Sequence, residues 1–315
     1  MSTQGKYRIR NWKEYNKSLI QRGSITVWLS EDAVEKWFAH RAEGKKGHPC
    51  VYSDDAILTS LLIRAVFHLP LRALQGFLLS LVMLMKISLP IPCYTQICRR
   101  AKALGEELRK LSTKKITDLV IDSTGLKVYG EGEWKVRQHG HSKRRSWMKL
   151  HLAVCPDSHE IVFEILSENS IADCTIYPEF IKKAPKTMKR TYADGAYDTS
   201  GCYKANAEHG SIPIICPQRK AVLRREEGPH MDMRNTALLE ITGLGGGENG
   251  RRLWKKLRRY HRRSLGETAM FRFKQLFGNN LRSRSLKGQK AEAYTKSHAL
   301  NIMTRLGMPR SEWVA

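Results

Sequence analysis

The hydrophobic pattern of this chain changes near residue 115, and that change restricts the fold more than any other feature. Before it, apolar residues recur at helical spacing; after it, they form short runs bounded by polar or turn-forming residues. These runs cover residues 119–121, 149–154, 160–166, 190–193 and 212–216. Three strands in succession, then alternating helix and strand, predict an α/β fold with a mixed five-stranded sheet flanked by helices.

Two local signals refine this sheet. Residues 156–159 (Pro-Asp-Ser-His) are typical of a hairpin turn between the second and third strands. Pro213 lies inside the fifth run and has no backbone N–H to donate, so we expect that strand at an edge of the sheet.

The first third of the chain is predicted to be helical. Ser53 is a suitable cap for a helix whose apolar residues repeat at four-residue spacing, and Pro70 ends that helix and opens a second. Pro90 and Pro92 end the second, and a basic third helix follows from about Tyr94. Three short helices ending in a basic one fit a helix-turn-helix DNA-binding module or a plain helical packing domain equally well. We therefore expect an N-terminal helical region at 1–110 and a second domain at 111–315.

Charge indicates the class of partner. Lys and Arg outnumber Asp and Glu by 55 to 30, which gives a net charge of +25. Such an excess favours a polyanion, with DNA or RNA as the first candidate. The seven cysteines are scattered, as expected of reduced thiols in the cytoplasm. The N-terminus has no apolar signal core, and the longest apolar run (77–85) is too short to span a bilayer, so no membrane partner is expected.

Three acids stand out by their context. Asp122 and Asp194 each follow an apolar strand run, and Glu267 lies in a strongly basic helical segment. Carboxylates at the ends of adjacent strands, with a third on a packed helix, suit two divalent ions that activate a nucleophile and stabilise a leaving oxygen. Hard oxygen ligands favour Mg²⁺, with Mn²⁺ as a substitute.

A long helix is predicted from residue 251 to residue 277. Residues 251–263 hold eight Lys or Arg, a density that indicates phosphate contact, including by Arg259 and Arg262. Leu253, Trp254, Leu257 and Tyr260 recur at helical spacing as its core stripe. On one continuous helix Tyr260, Arg263, Glu267 and Lys274 would lie within about 60° of one another.

Other charged residues have simpler interpretations. Residues 134–156 hold six Lys or Arg and no acid, which predicts a DNA-facing surface that includes Lys143, Arg144 and Arg145. The histidines of that stretch are taken as incidental to it: His139, His141 and His151. Further acids are interpreted as turn or cap residues: Asp118, Asp173 and Asp198. Residues 218–250, basic and then glycine-rich, lack a Walker motif and are predicted to be a flexible insertion.

Taken together, these motifs resemble a known family. Ile121-Asp122-Ser123-Thr124, Ala193-Asp194-Gly195-Ala196-Tyr197-Asp198 and the spacing Tyr260-x2-Arg263-x3-Glu267-x6-Lys274 are similar to the DDE transposases of bacterial insertion sequences, most closely the IS5 family within the IS4-like group.

The resemblance implies an RNase H-like catalytic core with Asp122, Asp194 and Glu267 as its metal-binding triad. It implies that Arg263 and Lys274 contact DNA phosphates and that Tyr260 supports the same strand. The N-terminal helices would recognise the terminal inverted repeats of the element. The expected reaction is Mg²⁺-dependent cleavage at the element ends, followed by joining of the 3′-hydroxyls to target DNA by a homodimer in a bacterial, nucleoid-associated setting.

Two alternatives remain at this stage. One is an RNase H-like nuclease or resolvase that cuts without strand transfer. The other is a DNA-binding regulator that no longer uses its catalytic centre, although the presence of all three acids argues against it.

Overall fold

The computed structural model describes residues 6–39, 51–107, 115–128, 147–225 and 228–314. The chain divides into two compact units, one made of Met1–Glu107 and Tyr294–Ala315 and the other of Leu108–Ala293. Residues 294–315 thus belong to the same unit as the N-terminal helices, and the division into domains at 1–110 and 111–315 stays a prediction.

The elements are as follows, in chain order. The strands are β1 (Lys6–Ile9), β2 (Asp118–Val128), β3 (Trp147–Val154), β4 (Ile161–Glu168), β5 (Arg190–Ala193), β6 (Ile212–Ile215), β7 (Asn280–Leu281) and β8 (Ser311–Val314). Helices of the first half are α1 (Trp12–Gln21), α2 (Ile25–Trp28), α3 (Glu31–Glu35), α4 (Asp54–Val66), α5 (Leu71–Leu84) and α6 (Tyr94–Glu107). Helices of the second half are α7 (Asp173–Lys183), α8 (Ser200–His209), α9 (Pro229–Gly243), α10 (Gly247–Leu257), α11 (Ser264–Phe277) and α12 (Leu286–Leu306).

The three helices predicted after residue 53 are confirmed as α4, α5 and α6. Ser53 caps α4, since its Oγ accepts a hydrogen bond of 3.0 Å from the backbone N–H of Ala56, and Pro70 immediately precedes α5. In the same unit, β1 and β8 pair antiparallel. The DNA-binding role of these helices stays a prediction.

Within the described ranges, no helix by itself has the length and hydropathy to cross a membrane. One pair, α4 and α5, meets that test only when taken together, and the two helices are bent by 108° relative to each other.

The second unit is built on a mixed sheet flanked by helices, as predicted. Its strand order is β4-β3-β2-β5-β6, and the short β7 also pairs with β2. The β4-β3-β2 part is antiparallel, whereas β5 runs parallel to both β2 and β6. Strand β6, which contains Pro213, lies at the edge as predicted. The sheet is compatible with an RNase H-like core.

The predicted end of the first strand is wrong. β2 does not stop before Asp122 but continues to Val128. The polar residues after Asp122 stay in the strand because they pair with β3, with Ser123 opposite His151 and Thr124 opposite Leu150. Asp122 is therefore an internal strand residue.

The two faces of the sheet carry separate cores. On one face, Leu119, Ile121 and Ala193 pack with residues of α7 and α8. On the other, Val120 and Tyr192 pack with residues of α9 and α10, among them Trp254. Since side chains alternate along a strand, Asp122 belongs to the same face as Val120.

The glycine-rich insertion was predicted to be a flexible connector, and the structure instead shows a helical hairpin. Its helices, α9 and α10, are joined by a turn in which Gly245 and Gly246 have positive φ angles of 99° and 63°. Gly250 sits where the helices cross, because a Cβ there would lie 2.3 Å from the carbonyl oxygen of Ile241. Glycine here permits a turn and a close helix contact rather than flexibility.

The continuous helix predicted from residue 251 to residue 277 is also wrong. α10 ends at Leu257, Arg259 has a left-handed φ of 53°, and Tyr260–Arg263 form a 3₁₀ turn before α11 begins. The predicted core stripe is therefore only partly correct, since Trp254 is buried but Leu253 and Leu257 are exposed.

Candidate active site

Strand register places two of the predicted acids side by side. β2 and β5 run parallel, with Val120 opposite Tyr192 as the last registered pair. Asp122 and Asp194 each follow this pair by two residues, Asp122 inside β2 and Asp194 directly after the end of β5, so both acids belong to the same end of two paired strands. A sequence separation of 72 residues is thereby reduced to adjacent positions.

The third acid reaches this pair because a glycine lets its helix approach the sheet closely. Gly266 is buried in α11. A Cβ at this position would lie 3.0 Å from Cγ1 of Val120 and 3.3 Å from Cβ of Asp122. Glu267 follows directly and projects from the same first turn of α11. Gly266 is thus the contact point between helix and sheet.

Arg263 connects the helix acid with a strand acid. Its guanidinium donates to Glu267 Oε1 at 2.5 Å and lies 3.6 Å from Oδ2 of Asp122. The Glu267 side chain remains 56% exposed, whereas that of Asp122 is 16% exposed. Arg263 thus offsets part of the negative charge that the acids concentrate here.

The pKa of Asp122 lies well above its ordinary value. Burial raises its pKa from 3.8 to about 6, and the negative charges of Asp194 and Glu267 act in the same direction. A hydrogen bond from the backbone N–H of Ser123 and the charge of Arg263 oppose the rise in pKa. The charges of Asp194 and Glu267 thus act on the carboxyl group of Asp122, and a perturbed acid beside other acids is typical of functional sites.

Backbone and ring contacts hold two further side chains of the site, those of Asp194 and Tyr260. Asp194 Oδ1 accepts a hydrogen bond of 2.8 Å from the backbone N–H of Ala196. Tyr260 packs 6.1 Å from the ring of Trp254. Burial raises the pKa of the Tyr260 phenol to about 12, helped by the charges of Asp194 and Asp122, while Arg263 opposes the rise. The phenol therefore stays protonated as a hydrogen-bond donor at neutral pH.

The chemistry of these side chains fits a hard divalent cation. Three carboxylates supply the oxygen ligands that Mg²⁺ and Mn²⁺ prefer, and the partly desolvated Asp122 would be stabilised in its ionised form by a cation. As they stand, no His, Cys, Asp or Glu side chains of the described residues converge in groups of three or more closely enough to hold a metal. Arg263 contacts both Glu267 and Asp122, and a metal ion held by these two acids would replace that contact.

The predicted phosphate-binding cations fall into three groups. Lys274 is partly exposed on α11, two turns or roughly 10 Å beyond Glu267 along the helix, and Arg259 is exposed at the left-handed kink. Arg262 points elsewhere: it donates to Oδ2 of the buried Asp118 at 2.5 Å and also pairs with Asp157. Those ion pairs disfavour the phosphate contact predicted for Arg262. The remaining predicted residues lie outside the described part of the chain: Lys143, Arg144 and Arg145.

Two acids interpreted as turn or cap residues have other roles. Asp118 is fully buried and accepts hydrogen bonds from both Arg190 and Arg262. Asp198 does not cap α8; its carboxylate forms a buried ion pair with Arg234 of α9, with Nε to Oδ1 at 2.8 Å. Both were missed because their arginine partners are distant in sequence.

His151 was assigned to a DNA-facing surface, and the structure contradicts this. The side chain is 1% exposed in β3, and its Nε2 lies 2.8 Å from Oγ of Ser167. Burial lowers its pKa from 6.5 to about 4, so the ring is neutral. His139 and His141 fall outside the described residues.

Comparison with known protein families identifies the class of domain that the chain contains. Two family models, each described as a transposase DDE domain, match the chain. One matches residues 20–131 and includes Asp122. The other matches residues 113–302, more than half of the chain, and includes all three acids together with Lys274.

Proposed function

Since the chain belongs to the DDE transposases, we propose that Asp122, Asp194 and Glu267 are its catalytic acids and that it cuts and joins DNA at the ends of an insertion sequence. The observation that carries this proposal is the shared position of the acids. Asp122 and Asp194 each lie two residues beyond Val120 and Tyr192, the last registered pair of the parallel strands β2 and β5, and the contact at Gly266 brings the first turn of α11 onto Asp122.

The proposed division of labour follows from the contacts. The three carboxylates would hold Mg²⁺ or Mn²⁺, which when bound lowers the pKa of a water or 3′-hydroxyl nucleophile and stabilises the leaving oxygen. Arg263 would exchange its partners, Glu267 and Asp122, for a DNA phosphate next to the scissile bond. The protonated Tyr260 would donate a hydrogen bond to the same strand, and Lys274 would bind a phosphate further along α11.

Substrate and assembly complete the proposal. The resemblance to the IS5 family supports terminal inverted repeats as the substrate, recognised by the N-terminal helices. Two element ends must be handled together, so we expect a homodimer on two DNA ends. The net charge of +25 supports a double-stranded DNA partner.

The test is a joining assay with purified protein, linear DNA bearing candidate inverted repeats, a target plasmid and Mg²⁺. Joined products should be abolished by Asp122→Asn, Asp194→Asn and Glu267→Gln. The matched control is Glu208→Gln. Glu208 is an exposed acid on α8, and α8 packs on the face of the sheet opposite to Asp122, so this variant should retain joining.

The alternatives predict other products. Cleavage without joining would favour a nuclease or resolvase over a transposase. Tight DNA binding without any cleavage would favour the regulator and overturn the proposed chemistry.

A further inference from the structure

An aromatic ring is exposed on the helix that carries the third acid. Phe271 in α11 is 63% exposed. The buried face of α11 is formed by other residues: Gly266, Ala269, Met270, Phe273 and Phe277. The core of this unit therefore does not use Phe271, and its ring stands in solvent.

Its position along α11 is specific. Phe271 follows Glu267 by four residues and precedes Lys274 by three. Helix residues three and four apart are neighbours, with about 5–6 Å between their Cβ atoms. The ring thus lies on the same stripe as the acid and the cation, between them.

The cations at either end of this stripe define a path. Arg263 and Lys274 are eleven residues apart, or roughly 16 Å along the helix. A DNA strand whose phosphates reach both cations has to pass Phe271. Isolated exposed apolar residues are common and need no explanation by themselves; this position between two cations and beside a carboxylate distinguishes Phe271 from, for example, Leu239 on α9, which is 58% exposed.

We propose that Phe271 is a base-binding residue, which stacks on an unpaired base of the strand held by Arg263 and Lys274. This rests on the proposed function. Every base has an aromatic face, so stacking on a phenyl ring does not depend on sequence. A paired base inside a duplex does not offer that face, so the DNA must be locally opened beside the acids for the ring to stack on a base. The cost of opening is offset in part by the stacking contact.

The test is a binding cycle with two proteins and two DNAs, measured in EDTA so that no cleavage occurs. One DNA end carries an unpaired base near the cleavage position; the other carries an abasic site there, and the position is scanned along the strand. At one position, Phe271→Ala should weaken binding of the first DNA about tenfold and leave binding of the abasic DNA unchanged. Phe271→Trp should restore the affinity, because it restores an aromatic face.

Controls separate stacking from a general loss. Leu239→Ala removes a comparably exposed apolar side chain and should bind both DNAs as the wild type does. If Phe271→Ala weakens binding to both DNAs equally at every position, or to neither, the base contact is wrong. Cleavage by the wild-type protein separates a wrong base contact from a wrong proposed function. If the wild type cleaves DNA but the effect of Phe271→Ala does not depend on the unpaired base, only the base contact is wrong. If the wild type binds no DNA, both proposals are wrong.

Discussion

Arg262 and Arg263 are adjacent in sequence, yet their guanidinium groups pair with two separate sets of acids. Arg263 contacts Glu267 and Asp122, whereas Arg262 binds the buried Asp118 at the start of β2 and Asp157 in the turn after β3. The 3₁₀ turn that holds both residues is therefore fixed to the sheet by one arginine while the next one faces the acids.

This arrangement predicts a positioning effect for Arg262. Arg262→Gln should lower kcat for DNA cleavage at saturating DNA by tenfold or more, because a displacement of about 1 Å near reacting groups can cost ~100-fold. Arg190→Gln is the matched control, since Arg190 donates two hydrogen bonds of 3.0 Å to the same Asp118 from the first residue of β5.

Both substitutions remove hydrogen bonds to a buried carboxylate, so both should reduce stability by about 1.5–3 kcal/mol. Thermal unfolding measures that loss, and kcat measures positioning. If kcat falls equally for the two variants, Arg262 stabilises the fold and has no separate positioning effect.

A methyl group at position 266 should separate the helix from the sheet. Gly266→Ala gains about 1 kcal/mol in helix propensity, but the added Cβ would lie 3.0 Å from Val120, and overpacking of this kind costs about 1–3 kcal/mol. We expect a net loss of stability together with slower cleavage, because α11 carries Glu267 away from Asp122.

Gly201→Ala is the control for this substitution. Gly201 lies in α8, and a Cβ there meets no atom within 4 Å, so the alanine should stabilise the protein slightly and leave cleavage unchanged. Full activity and undiminished stability of Gly266→Ala would show that the close contact is not needed.

Asp122 should make the metal-free protein less stable as pH rises. Its folded-state pKa is raised to about 6 from 3.8, so the folded state binds the proton more tightly than the unfolded state does. The stabilisation is present below about pH 4 and is lost as pH increases through 6. A shift of about two units corresponds to roughly 3 kcal/mol.

The comparison to make is wild type against Asp122→Asn, by chemical unfolding in EDTA across this pH range. The asparagine variant should be more stable than the wild type by up to about 3 kcal/mol near neutral pH, and the difference should shrink toward about pH 4. A difference that does not change with pH would place the Asp122 carboxylate in a solvated environment.

The salt dependence of DNA binding should distinguish the cations that bind phosphates from Arg262, which is paired with acids. Each phosphate contact contributes about 0.9 to the slope of log K against log salt concentration. Arg263→Ala and Lys274→Ala should each flatten the slope by roughly that amount. Arg262→Ala should leave the slope unchanged, because its guanidinium is held by Asp118 and Asp157.

Lys183→Ala, an exposed cation at the end of α7, is the control for charge alone. An unchanged slope for both Arg263→Ala and Lys274→Ala would contradict their role as phosphate ligands. A flattened slope for Lys183→Ala as well would indicate diffuse attraction by net charge.

The sheet could be predicted because its signals are local. Short apolar runs define strands, and Pro213 indicates the edge position of β6. The break at Arg259 could not be predicted, since Leu253, Trp254, Leu257 and Tyr260 keep helical spacing across it. Tertiary contacts impose the break: Trp254 packs in the core, and Arg262 is drawn to Asp118.

The glycine-rich stretch was misjudged for a similar reason. By composition, glycine indicates flexibility, but Gly245 and Gly246 supply a left-handed turn and Gly250 permits helix crossing. Whether a glycine loosens or tightens a chain depends on what lies next to it, and a single sequence does not contain that information.

The buried pair between Asp198 and Arg234 has a consequence for redesign. Asp198 stands four residues after Asp194, and its partner belongs to the first helix of the 229–257 hairpin. Deleting the hairpin to obtain a minimal nuclease would remove Arg234 and leave the buried carboxylate of Asp198 without its ion-pair partner near Asp194. Breaking such a pair costs about 3–5 kcal/mol. A truncated enzyme would need Asp198 replaced by a neutral residue in the same step, so the hairpin cannot be treated as a detachable module.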